Sequence, residues 1–495
     1  MSKNYIFGKL ANRPELPEIM WNPDARESVN PHLLMCGGSG AGKTTLLLKI
    51  AKYLTLANKH IFIFDLKGDM VVLDDDGHRM GNYIEFTAWN SEYGINPFEF
   101  DTGVIESELQ EIISSGELSD EQRFKVQNSG PKVQVERIIE IIKKNFLPNM
   151  GTNQKDILMH LFSDTYLSKE FKYNDINTWL NELPSLEDTL ELVERIKAYS
   201  YNHDGAVLDE ESISFVMNIQ NDILGYKSLD TRLKEDDGSK EEIEQAIEML
   251  KKQTQETLDN FIQYGKAIFT AKNISSNKEW FDVRGISIDK YMTKDALRTI
   301  DKMASYINAL VDAGVFHSKR PPVKNGLNII NISGLDVAIQ RFIVDVWLGK
   351  VFKSCKIRGT YSERPNKSRG AKCDTYVIVD ESKLIAGTSR DKNDPFSYLN
   401  RTATEARGFG FGIIVAAQSA EHFPAEFLKN FDAQVILNTG IADFDTVRKS
   451  FGIDKQLLEF TQHGFGNALV KTGRSFSKVK LEMHTQSEAV KTPDS

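Results

Sequence analysis

The sequence predicts an α/β protein with a mostly parallel sheet and a helical segment inserted between its two halves. Three observations predict this. A glycine-rich loop at residues 37–44 stands between a strand-like and a helix-like run. Short, fully apolar runs recur before and after the middle of the chain. Between them, from 101 to 290, apolar residues take helical spacing instead.

The loop reads Gly37-Gly38-Ser39-Gly40-Ala41-Gly42-Lys43-Thr44. The apolar run before it, 32–36, has the length and composition of a buried strand. The run after it, 45–51, has the composition of a helix and begins with Thr45. Strand, glycine-rich loop, Lys-Thr and helix in that order form a cradle for a nucleoside triphosphate. Glycines let successive backbone N–H groups converge on phosphate oxygens, so Gly38, Ser39, Gly40, Ala41 and Gly42 are candidate binding residues. The helix N-terminus adds partial positive charge. Lys43 is expected to reach the β- and γ-phosphates, and the Thr44 hydroxyl to hold Mg²⁺. ATP and Mg²⁺ are therefore the expected ligands.

Further runs at 60–64, 83–86, 327–332, 375–379, 411–417 and 435–437 read as strands. Spacing such as Val135, Ile138, Ile139, Ile142 and Phe146 argues for helices in the middle. The expected organisation is an arm at 1–30, a first core part at 31–100, a mostly helical insertion at 101–290, a second core part at 291–485 and a disordered tail at 486–495. A polar linker is expected at 229–240 and an edge strand at 6–10. A long helix at 337–353 is followed by a basic loop at 354–372; with Lys353, it carries seven Lys or Arg against one acid.

Composition narrows the function. The chain has 495 residues, 40% hydrophobic and 26% charged, which suits a soluble protein of more than one structural unit. No apolar run is long enough to cross a bilayer and no leader pattern opens the chain, so the expectation is a cytoplasmic protein without direct membrane insertion. Three cysteines lack metal-ligand spacing and fit a reducing compartment. A net charge of −9 argues against a generally basic surface, but not against a few cations confined to a pore. The nine histidines show no zinc spacing. His203-Asp204 lacks the second cluster of a metal phosphohydrolase, and Asp74-Asp75-Asp76-Gly77 reads as a polar turn.

A second set of site residues follows from strand ends. The run 375–379 ends in Asp380-Glu381. Asp380 can hold Mg²⁺ through water, and Glu381 can orient and polarise the attacking water. Open α/β sheets bind ligands at the carboxyl ends of their strands, where both acids lie. Gln418 ends the run 411–417, where an amide could touch both the γ-phosphate and the water. Asp65 ends the run 60–64; it could support Mg²⁺ from behind its ligands or simply form a turn. Arg407 precedes the strand at 411–417.

In this order the pieces resemble the HerA and FtsK superfamily of ring motors, which includes conjugative coupling proteins and type IV secretion ATPases. The matching strings are the loop at 37–44, Asp65-Leu66-Lys67-Gly68-Asp69, Gly94-Ile95-Asn96-Pro97-Phe98, Asn331-Ile332-Ser333-Gly334-Leu335, residues 377–382 and residues 406–419. The resemblance covers about 31–100 and 295–485; the middle is unmatched. It implies a RecA-like P-loop NTPase core in a homo-hexameric ring that moves double-stranded DNA. It also implies Arg407 completing a neighbour's site and Gln418 as a sensor of hydrolysis. HerA members carry an Arg-His pair before the loop; here Pro31 precedes His32, so that arginine is absent or replaced, for example by Arg401. The basic loop at 354–372 and the segment 388–401 are candidate DNA contacts. Such motors often work beside a nuclease or another effector in DNA processing or antiviral defence. The alternatives are a protein-moving ATPase and an ATP-gated scaffold for a defence effector.

Overall fold

A computed structural model describes residues 4–25, 28–99, 130–203, 278–363, 372–380, 405–419 and 428–482, with isolated positions between 245 and 252. The chain divides into two compact units. The first comprises Met1–Lys155, Lys172–Glu187 and Tyr306–Ser495; the second comprises Asp156–Phe171 and Asp188–Ser305.

The first unit is built on one 11-stranded sheet. In chain order its strands are β1 (Tyr5–Leu10), β2 (Ile19–Trp21), β3 (Leu33–Cys36), β4 (His60–Asp65), β5 (Asn82–Glu85) and β6 (Leu327–Asn331). They continue with β7 (Thr375–Val379), β8 (Phe411–Ala417), β9 (Ala433–Ile436), β10 (Asn467–Lys471) and β11 (Ser477–Leu481). The spatial order is β2-β1-β11-β10-β9-β3-β8-β7-β4-β6-β5. From β9 to β5 every pairing is parallel; from β10 to β2 every pairing is antiparallel. The inner parallel strands are mostly apolar because both their faces are covered. β3, β6, β7, β8 and β9 are buried at every position.

Helix α1 (Lys43–Leu56) covers one face through Leu46, Leu47, Ile50, Ala51 and Leu54, which join a cluster with Leu33, Ile61, Ile378 and Ile414. The same unit contains α2 (Pro131–Asn145), whose Pro at the first turn suits the missing donor of that position. In the second unit, most of the described residues are helical. They include most of α3 (Thr152–Ser168), α4 (Leu186–His203) and the first part of α5 (Lys294–Asp312). Asp164 is buried there and holds Lys290 Nζ at 2.9 Å and the Tyr291 hydroxyl at 2.7 Å.

Three sequence readings change. The arm at 1–30 contributes two strands, because Phe7 and Trp21 are apolar enough to be buried. The strand expected at the edge, β1, is internal and pairs with β2 and β11, leaving β2 outermost. The helix expected to stop at 353 is α6 (Val337–Ile357), which continues one turn further until Gly359, at φ +78°, takes the left-handed conformation. The linker at 229–240 and the tail at 486–495 lie outside the described residues. Two short helices, α7 (Phe444–Phe451) and α8 (Lys455–Glu459), follow β9.

Candidate nucleotide-binding site

The loop leaves β3 between β8 and β9 and is pinned to both. Gly37 N–H donates to Ala417 O at 3.1 Å, and Gly38 N–H donates to Asn438 O at 2.7 Å. A side chain at Gly37 would put its Cβ 2.8 Å from Leu437 Cβ, so the close approach requires glycine. Gly42 adopts φ +93° and hands the chain into α1 at Lys43. The first turn of α1 contains no acid, so its N-terminal N–H groups are not neutralised locally. Ser39 and Gly40 are exposed, while Ala41, Gly42, Thr44 and Thr45 are half-buried.

Lys43 is buried and curls back over the loop, donating to Gly37 O and Gly38 O at 2.8 Å each. Thr44 Oγ1 donates to Asp380 Oδ2 at 2.8 Å. Residues 336 positions apart thus meet because β7 lies two strands from β3 in the sheet. A hydroxyl and a carboxylate form an oxygen donor pair suited to a hard cation, so the two side chains fit Mg²⁺. Lys43, the loop N–H groups and the α1 N-terminus fit a polyphosphate.

Asp65, at the end of β4, forms the turn that is one of the two readings of its sequence position. It is buried, and its carboxylate accepts from Lys67 N–H (3.1 Å), Gly68 N–H (2.7 Å) and Met70 N–H (3.0 Å). It caps its own turn. That turn carries Asp69, a residue the sequence reading passed over. Burial first, then the charges of Asp65 and Asp380, hold the Asp69 carboxyl above the usual carboxylate range. Asp69 therefore shares the electrostatic environment of Asp380, a proximity no spacing rule could reveal.

Gln418 follows β8, half-buried beside the loop; its carbonyl lies 3.9 Å from the Cys36 thiol. Burial pushes that thiol up to about 12, with Lys43 lowering it and Asp443 raising it less strongly. Arg407 lies in a short 3₁₀ turn, Ala406–Phe409, immediately before β8, but its side chain is outside the described residues. Glu381 is outside them too, as are Arg401 and the whole candidate DNA segment 388–401. His32 is buried, and its Nδ1 accepts the Ile413 N–H at 3.0 Å, tying the entry of β3 to β8.

Of the basic stretch at 354–372, Arg364, Lys367 and Arg369 are outside the described residues. The described cations Lys356 and Arg358 meet acids: Lys356 Nζ lies 2.7 Å from Glu405, and Arg358 lies 3.3 Å from Asp374. No described helix is long and apolar enough to cross a membrane. Among the described residues, Asp74, Asp76 and His78 form a cluster with metal-ligand spacing. Asp74 Oδ1 there accepts the N–H groups of Asp76 and His78, which accounts for it as a turn.

The fold is similar to that of VirB4 of Thermoanaerobacter pseudethanolicus, with a TM-score of 0.59, at 11% identity, over 97% of each chain. The fold is VirB4-like. It is a RecA-like P-loop NTPase fold with a mostly parallel sheet, as the sequence predicts. Weaker likenesses are to the bacterial conjugative coupling protein TrwBΔN70 (TM-score 0.45, 13% identity, 93% of this chain and 86% of that one). Another is to the genome packaging NTPase B204 of Sulfolobus turreted icosahedral virus 2, solved with ATP-γS (TM-score 0.22, 14% identity, 32% of this chain and 69% of that one). No family model and no curated protein matches the sequence.

Proposed function

We propose that this chain is an ATP-hydrolysing motor that assembles into a homo-hexameric ring and translocates double-stranded DNA, with a nuclease or effector as partner. The observation that carries this reading is Lys43 folded over the loop beside the Thr44–Asp380 hydrogen bond, which supports a triphosphate and its cation at the carboxyl ends of central strands. When bound, Mg²⁺ would supply charge neutralisation at the β- and γ-phosphates. Lys43 would exchange the carbonyls of Gly37 and Gly38 for phosphate oxygens. Glu381 would take the role of general base and Gln418 that of sensor. Arg407 would be offered to the site of a neighbouring copy, where a guanidinium stabilises charge on the transferring phosphoryl group.

The net charge of −9 is compatible with DNA only if cations concentrate along a path, since local field governs phosphate binding. The test is ATP turnover by the full chain with and without duplex DNA, beside Lys43→Ala. Turnover that rises with duplex and vanishes in Lys43→Ala supports the reading. Turnover indifferent to DNA turns it toward a protein-moving ATPase. Nucleotide-dependent assembly with negligible turnover turns it toward a gated scaffold.

A further inference from the structure

We infer that one face of the antiparallel strands β1, β10 and β11 holds the phosphate backbone of duplex DNA, through Lys9, Lys471, Lys478 and Lys480. The inference deepens the proposed DNA-motor reading and rests on it. It places a DNA contact outside the two segments singled out by the sequence, 354–372 and 388–401.

The two faces of this part of the sheet differ. One is packed with α1: Ala468, Val470, Val479 and Leu481 join the same cluster as Leu46 and Ile50. Side chains alternate between faces along a strand, so the other face takes Asn467, Leu469 and Lys471 from β10 and Lys478 and Lys480 from β11. Leu469 packs there with Val447 of α7 and Leu458 of α8, and Phe476 lies against them. Beyond that apolar patch the face is basic. Lys471 Nζ lies 5.9 Å from the centre of the Phe476 ring, and Lys478 Nζ lies 5.5 Å from that of Phe460. Lys480 Nζ donates to Phe465 O at 2.7 Å. Lys9 of β1 stands directly opposite Lys480 in the register, on the same face, and both are exposed. Arg474 is exposed in the turn that joins β10 to β11.

These cations stand together in a chain whose net charge is −9. Among the described residues, none of them forms an ion pair with an acid. Lys356 and Arg358 of the stretch 354–372 differ, being held by Glu405 and Asp374. Glu482, the first residue after β11, acts on Tyr5 and Lys49, and Tyr5 packs on Tyr53 of α1. Like charges directly opposite each other destabilise an antiparallel pair. The Lys9–Lys480 pairing therefore costs stability in the free chain, and an anion laid over it relieves that cost. Strands lie about 4.8 Å apart and alternate residues along one about 7 Å apart, so the lysines form a flat array. One strand of a duplex offers a phosphate every 3.4 Å or so of axis, roughly matching that array with several contacts. No large apolar side chain of β10 or β11 is exposed, so these strands lack the apolar surface that a membrane would bury. With no element that enters a groove, the face grips the backbone and reads no bases.

The test is equilibrium binding of a labelled DNA duplex to the full chain, with a non-hydrolysable ATP analogue present, across a salt titration. The face variant combines Lys9→Gln, Lys478→Gln and Lys480→Gln, which removes charge and keeps the side-chain stems. A control variant combines Lys52→Gln, Lys197→Gln and Lys319→Gln, losing the same charge at lysines held by Asp75, Asp301 and Glu92. The expected result for the face variant is at least about a tenfold loss of duplex affinity and a salt slope shallower by about 3. Lys9→Gln alone, at an exposed position, should reduce the slope by about 1, and the control should lose less than about twofold in affinity. Unchanged binding in the face variant and in Lys9→Gln, or equal losses in the face and control variants, overturns the inference and leaves the motor reading standing. A wild-type chain that binds no duplex overturns the DNA reading itself, and the inference with it. Binding to phosphatidylserine vesicles in place of duplex, lost in the face variant, overturns both and assigns the lysines to a membrane surface.

Discussion

The Thr44 hydroxyl donates to the Asp380 carboxylate across 2.8 Å, joining the first turn of α1 to the exit of β7. Both groups are oxygen donors, so a cation entering there meets two partners that already hold each other in place. Thr44→Val removes one donor at nearly constant shape, whereas Thr44→Ser keeps it. The expected outcome is at least a tenfold rise in the Mg²⁺ concentration that half-saturates ATP turnover for Thr44→Val, and little change for Thr44→Ser. Magnesium titration at fixed ATP checks this.

Asp65 predicts a stability effect separable from turnover chemistry. Its carboxylate satisfies the N–H groups of residues 67, 68 and 70. Removing that acceptor leaves three donors without their partner, the buried Met70 N–H among them. Asp65→Ala should lower unfolding free energy by about 2–4 kcal/mol, and Asp65→Asn by less, since one oxygen remains. Denaturant titration measures both. Equal stability of all three chains would contradict the capping role.

The proposed roles of Glu381 and Arg407 are tested in pairs. Glu381→Gln should bind ATP with near-normal affinity and turn over about a hundredfold more slowly or worse. Arg407→Ala should assemble but hydrolyse poorly. Mixed with Lys43→Ala, it should recover part of the activity, because one chain supplies the lysine and the other the arginine. Absence of recovery at every mixing ratio would count against sharing of sites between copies.

Buried thiols predict an alkaline limit. Burial pushes the Cys36 thiol up to about 12 and also raises those of Cys355 and Cys373. The folded chain then keeps protons that the unfolded chain releases near the ordinary thiol value of about 8.5. Stability is full below that value and falls as pH rises above it, by up to about 1.4 kcal/mol per pH unit for each thiol. Thermal unfolding between pH 7 and 10 should show a falling midpoint, with a shallower slope in Cys36→Ala.

Local pattern carried the site where chemistry is contiguous. The loop at 37–44 and the strands before Asp380 and Gln418 are short apolar runs with a polar stop, and each lies where its pattern indicates. Long-range pairing was not legible. Nothing in residues 5–10 says that they will be enclosed between β2 and β11, because the partner lies at the other end of the sequence. The extra turn of α6 was hidden by a basic composition that resembles a loop, although Cys355 is buried and the first breaker is Gly359. Asp65 suits two roles because a strand-ending acid fits either; the turn among them shows only in its three backbone donors.

The order of strands around β3 also governs when the nucleotide cradle can exist. Residues 33–36 are made first, and the segments that flank them, 411–417 and 433–436, emerge almost four hundred positions later. Until then the phosphate loop has two bare edges and no wall to fix its glycines. A polypeptide interrupted before residue 433 would display the full nucleotide signature while lacking the scaffold that shapes it, so ribosome-bound chains should acquire ATP affinity only once residue 436 has emerged.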